Sequence, residues 1–257
     1  MGITGISKTV KKTDKQNISL AERYFLLAEE LRLKNQYRES VENYLHSIMI
    51  DRQNYTSYLG IGISYKNLKK YDKAVINLKK AEMLNPRDIN VLKELAVCSV
   101  INGDFENGIK YLIKAIKLEP DNIDIQMQLA MVHEMIEEED MSLMIYQRII
   151  EMKPDYLRAY IQKAALFMHL QDYVNSVKIF KTVLRLDPKY YRAYLAVGIC
   201  YEKLGNYSGA KRFYKKYIEM CRFCSNYNEI EKRISVLNSE KKMKNTLRIV
   251  CSNKISR

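Results

Sequence analysis

The sequence predicts an all-α chain built as a stack of helical hairpins, and three observations carry that reading. Pro86, Pro120, Pro154 and Pro188 stand 34 residues apart. Tyr37, Tyr71, Phe105, Tyr173 and Tyr207 keep the same interval, with one gap at Glu139. Two columns of small residues run in the same register. A unit of this length cannot bury its apolar face alone, so like units must stack on one another and share a core.

Taken in order, residues 1–20 read as a flexible basic tail. Its start, Met1 to Ser7, has no apolar run of signal-peptide length, and Ile6 stands where a myristoylation motif needs Ser or Thr. Six 34-residue units follow without insertion or deletion: 21–54, 55–88, 89–122, 123–156, 157–190 and 191–224. The eighth place of each is Ala28, Gly62, Ala96, Ala130, Ala164 or Gly198, and the twentieth is Ser40, Ala74, Gly108, Ser142, Ser176 or Ala210. Opposite them stand Tyr44, Leu78, Leu112, Tyr146, Phe180 and Tyr214. Small residues in two columns facing bulky ones describe two helices in close backbone contact. Gly103-Asp104, Gln171-Asp172 and Gly205-Asn206 supply a turn and then an N-cap between those helices. Each proline ends a second helix, because the residue before proline is pushed out of the helical region. Glu137 to Asp140 sits at the turn of the fourth unit, which is expected to be the least regular. Beyond 224, Tyr227, Ile230, Ile234 and Leu237 continue at helical spacing. That predicts a capping helix over 225–245 that covers the last hairpin, then a basic tail, 246–257.

This pattern resembles the tetratricopeptide repeat family. The second unit carries it best, with Tyr58, Ile61-Gly62, Tyr65, Ala74, Leu78, Ala81 and Pro86 at the family's spacing. Departures fall at Leu92 and Gln126 in the first aromatic column and at Arg52 and Arg222 in the proline column. The resemblance implies an α-solenoid, a right-handed superhelix of hairpins whose first helices line a concave groove. Six places of each first helix, the second, fifth, sixth, ninth, twelfth and thirteenth, then point inward. The fifth place reads Phe25, Leu59, Lys93, Met127, Ile161, Leu195, and the ninth Glu29, Ile63, Val97, Met131, Ala165, Ile199. The wall is apolar over several repeats, with Met135 and Met168 adding adaptable side chains. Packing against the neighbouring hairpin is the competing reading for the fifth place.

The family's carboxylate clamp would fall on Lys93, Val97, Gln128, Arg158 and Gln162. Valine in place of an amide donor argues against it, since a carboxylate is held by charge-assisted hydrogen bonds. The candidate peptide groove is therefore Leu59, Ile63, Lys93, Val97, Met127, Gln128, Met131, Arg158, Ile161, Gln162, Leu195 and Ile199.

Charge divides the chain. Residues 1–177 hold 24 cations and 24 anions, whereas 178–257 hold 19 and 6, so the whole net charge of +13 lies in the last third. Lys211, Arg212, Lys215 and Lys216 form the candidate basic surface, able to attract nucleic acid, an acidic protein or an anionic membrane. Cys98 and Cys200 share one repeat place and read as small buried hydrophobes. Cys221-x-x-Cys224 lacks the second ligand pair that zinc needs and reads as an unpaired thiol pair. There is no phosphate loop, nucleophile elbow or His-Glu-x-x-His helix. No stretch approaches the roughly 20 apolar residues of a membrane span.

These features predict a non-enzymatic, cytosolic interaction scaffold or assembly cofactor without cofactor or metal, holding a protein or peptide partner in the groove. A basic docking module for nucleic acid or an acidic surface is the second reading. A non-catalytic repeat portion working with a separate enzyme is the third.

Overall fold

The computed structural model describes residues 19–221 and 225–237, which hold helices and turns and no strand. Paired helices follow the repeat: α1 (Leu20–Leu33) with α2 (Tyr37–Ile50), α3 (Tyr55–Asn67) with α4 (Tyr71–Leu84), and α5 (Ile89–Ile101) with α6 (Phe105–Leu118). Next come α7 (Ile123–Met135), α8 (Glu139–Met152), α9 (Leu157–His169) with α10 (Tyr173–Leu186), and α11 (Tyr191–Lys203) with α12 (Tyr207–Met220). A further helix, α13, covers residues 227–237. The predictions for residues 1–18, for 238–257 and for Cys224 lie outside the described residues. The chain divides into two compact units, Met1–Ile136 and Glu137–Arg257. The division falls at the acidic turn of the fourth repeat, although α7 and α8 have the same lengths as their counterparts.

Within each unit the hairpins close through the small columns. Ala28, Ala96, Ala130 and Ala164 are buried, as are Ser40, Ala74, Ser142, Ser176 and Ala210. The serines do more than fit: Ser40 Oγ donates to the Ala28 carbonyl and Ser176 Oγ to the Ala164 carbonyl, both at 2.9 Å. A hydroxyl twelve residues on thus ties the two helix backbones at their closest approach, and its own polar group is satisfied in the core. A Cβ built on Gly62 would lie 2.5 Å from Leu78 Cγ, and one on Gly198 2.5 Å from Tyr214 Cδ1. Only glycine leaves room there.

Turns repeat as faithfully as the core. The fifteenth place of every unit, Asn35, Lys69, Gly103, Glu137, Gln171 and Gly205, has φ between 58° and 82°. This left-handed residue lets the chain leave one helix and enter the next within two residues. Asp104, Asp172 and Asn206 then cap α6, α10 and α12 through their side chains, and Ser19, Asn54, Asp88 and Asn122 do the same for α1, α3, α5 and α7.

Within the first unit, consecutive helices from α1 to α7 pack on one another, and α1, α3 and α5 are also neighbours. Ala28, Val41, Tyr44 and Ile61 form the core of its first hairpins, with Phe25, Ile48 and Tyr65 against them. In the second unit, consecutive helices from α8 to α12 pack likewise. Ala164, Val177, Phe180, Val183, Ala193 and Val197 share one cluster.

Helix α13 contributes Ile230, Ile234 and Leu237 to a cluster with Ala210, Tyr214 and Tyr217 of α12. Arg233 Nε donates to Glu202 Oε1 at 2.9 Å, Tyr214 Oη to Glu202 Oε2 at 3.0 Å, and Tyr217 Oη to Asn226 at 2.7 Å. The Arg233 hydrogen bond, reinforced by Tyr214, holds the Glu202 carboxyl below its ordinary range. A depressed carboxyl pKa contributes stability above the unfolded value, about 4.3, and that contribution is lost as pH falls through the folded pKa. We therefore expect acidification below about pH 4 to loosen α13. Glu202→Gln should be less stable than the parent at pH 7 and show a flatter acid limb, measured as unfolding temperature against pH. Identical profiles would remove this role for Glu202.

Candidate functional site

The predicted groove rests on faces of the first helices, and the structure sorts its residues by place. Ile63 and Val97 at the ninth place are half-buried, and Met131 is exposed at 38 %. At the fifth place, Leu59 and Lys93 are half-buried, but Met127 is only 2 % exposed. Met127 is therefore a core residue and does not line a groove, which corrects the sequence reading. Its unbranched chain fills the interior, where a polar replacement would meet no partner.

Between α5 and α7, within the first unit, lies an open apolar cavity of about 160 Å³. Val97, Val100 and Ile101 form one wall, and Met131, Val132 and Met135 another, with Gln128 among them. Val97, Gln128, Met131 and Met135 were expected there. Val100 and Ile101, at the twelfth and thirteenth places, were not singled out, although helical spacing carries them onto the same stripe.

One repeat earlier the equivalent position is closed by charge. Lys66 Nζ, from the twelfth place of the second unit, donates to Glu94 Oε2, from the sixth place of the third, at 2.6 Å. Moving on by one repeat replaces Lys66 with Val100 and Glu94 with Gln128. The Oε1 of Gln128 is buried and accepts no hydrogen bond.

In the second unit, Arg158 is exposed and Gln162 half-buried. Ile161 packs on the cluster built around Phe180 and Val197. Leu195 and Ile199 pack on the cluster shared by α12 and α13. Ile161 and Leu195 work in packing, the alternative reading of the fifth place, and Ile199 joins them because α13 covers it.

The tetratricopeptide repeat model matches residues 21–54, 55–88, 94–122, 157–190 and 191–224. The chain belongs to the tetratricopeptide repeat family. The unmatched stretch, 123–156, contains the acidic turn and the gap at Glu139, so this unit departs from the family in sequence while keeping its helices. No curated protein matches the chain significantly. Among solved structures, the C-terminal part of a TPR repeat-containing protein from Cytophaga hutchinsonii is 18% identical, with a TM-score of 0.70 over 77% of this chain and 79% of that one. A tetratricopeptide repeat protein from Parabacteroides merdae is 16% identical, with a TM-score of 0.66 over 86% and 88%. YrrB, described as a TPR protein with an unusual peptide-binding site, is 17% identical, with a TM-score of 0.57 over 75% and 99%. These likenesses concern the fold.

Of the tetratricopeptide carboxylate-clamp places, the ninth of the third repeat holds Val97, which lines an apolar wall where the clamp needs a donor. On α12, Arg212, Lys215 and Lys216 are exposed and Lys211 is half-buried. Arg212 lies over the Phe213 ring at 5.3 Å, and Lys216 stands 3.9 Å from Glu219. Lys178, Lys181 and Arg185 are exposed on α10, with Lys181 Nζ donating to Tyr201 Oη at 2.6 Å.

Cys98 and Cys200 are free and buried, as expected, and burial pushes the Cys98 thiol up to about 11, away from reactive thiolate. Cys221 is disulfide-bonded. This corrects its reading as an unpaired thiol. No helix among the described residues is long and apolar enough to cross a membrane.

Proposed function

We propose that the protein is a non-catalytic scaffold or assembly cofactor that holds a peptide segment of a protein partner against its first helices. The supporting observation is the apolar cavity between α5 and α7, open to solvent and walled by Val97, Val100 and Met131. Tetratricopeptide repeats generally mediate protein–protein interaction, and YrrB, of the same fold, is described with a peptide-binding site. The competing reading, docking of an acidic partner or nucleic acid, rests on the exposed cations of α12.

Salt separates the two. Twelve-residue peptides selected from a random library on the full chain should be rich in aliphatic residues and keep their affinity as salt rises, because burial of apolar surface drives capture. Val97→Asp or Met131→Asp should weaken them about tenfold or more, the equivalent of losing one buried side chain. Neutralising Lys211, Arg212, Lys215 and Lys216 together should change little. Affinity that collapses with salt, follows the four cations and ignores the cavity substitutions would replace this function with charge-driven docking.

A further inference from the structure

Resting on that reading, we infer that the α5–α7 cavity is a pocket for one aliphatic anchor residue of the peptide, whose main-chain N–H is received by Gln128. The argument comes from comparing two successive repeats. Lys66 and Glu94 show what the array does when the twelfth place of one repeat meets the sixth place of the next: a cation fills the space and satisfies the acceptor, at 2.6 Å. At the following step Val100 is too short to fill the same space and has no donor to give. What results is a cavity of about 160 Å³ and a Gln128 Oε1 sealed from water with no hydrogen bond. A buried acceptor left unmade is costly, so a ligand that supplies a donor gains more than an ordinary hydrogen bond.

The same mismatch defines the ligand. Val97, Val100, Met131 and Met135 offer no charge, so a ligand ammonium or carboxylate would be desolvated against them without a counter-ion. Apolar cavities of about 150 Å³ take a ligand as small as benzene, which sets the size at one aliphatic side chain. A main-chain amide is neutral, donates one proton and lies next to that side chain in every peptide. Gln128 is among the residues that line the cavity, and the two methionines adapt to leucine, isoleucine or methionine.

The probe is N-acetyl-leucine-N-methylamide, titrated into the full chain with ¹³C-labelled methionine methyls. Affinity of about millimolar order is expected for so few atoms. Shifts should be confined to the Met131 and Met135 methyls. The acetyl ester of leucic acid N-methylamide, which replaces the anchor N–H by oxygen, should bind at least about threefold more weakly. Gln128→Leu should erase that preference, and Val100→Lys, which restores the lysine of the preceding repeat, should abolish the shifts. Equal binding of amide and ester, or comparable shifts at other methionines, would overturn the inference. Library-selected peptides that bind Val100→Lys as well as the parent would overturn this pocket and leave the peptide-binding reading standing. Failure of every selected peptide to respond to groove substitutions would remove that reading itself.

Discussion

Gly62→Leu is expected to destabilise the first unit by on the order of 3 kcal/mol, the upper part of the range for overpacking a filled core. A single Cβ at Gly62 already meets Leu78 Cγ at 2.5 Å, so a leucine must push apart α3 and α4, whose contact is the closure of the second hairpin. Leu78 is fully buried, so it can yield only by disturbing its neighbours in a close-packed interior. Adding Leu78→Ala to the same chain should recover part of the loss, because the two side chains compete for one space and their effects are coupled. Ile63→Ser, one residue along, should be far milder, since Ile63 is only half-buried. Urea unfolding of the three variants gives the ranking. Ile63→Ser as damaging as Gly62→Leu would show that the ninth place packs inside the array and does not face a ligand.

Gly62 also shows why so much of the fold was legible in the residues. Close helix contact excludes side chains at fixed places, and a 34-residue repeat prints that exclusion six times. The turn was legible where Gly103 and Gly205 occupy the left-handed place and where Asp172 follows Gln171 as an N-cap. Asn35, Lys69, Glu137 and Gln171 adopt the same φ under tertiary constraint, at a cost that leaves no mark in composition. Faces were harder than elements. Met127 and Met131 are four residues apart on one helix stripe, and only the packing around them makes one core and the other exposed. The cavity was half visible: Val97, Gln128, Met131 and Met135 were named, but its cause was not. Recognising that Val100 and Gln128 fail to do what Lys66 and Glu94 do requires knowing that the twelfth and sixth places meet, which is a fact of stacking.

Removing residues 225–257 is expected to produce the other large effect, a loss of on the order of 10 °C in unfolding temperature for the second unit together with reduced solubility. Ile230, Ile234 and Leu237 are 8 %, 8 % and 2 % exposed, each a side chain whose full burial is worth about 1.5–3 kcal/mol. Ordering the helix offsets part of this, and a net loss of about 3 kcal/mol corresponds to that temperature change at about 2–4 °C per kcal/mol. The deletion also strips α12. Tyr214 and Tyr217, each 3 % exposed, would meet water, and Glu202 would lose Arg233. A terminal hairpin with an apolar outer face is what a repeat array must cover to stay soluble. Because deletion also removes the basic tail, Leu237→Ala and Ile234→Ala in the full chain isolate packing, each expected to cost about 2–3 kcal/mol, up to what the helix itself contributes. Circular dichroism melts with light scattering report both quantities. A truncated chain that melts with the parent and stays in solution, or alanine variants that change nothing, would show that α13 rests on the array without stabilising it.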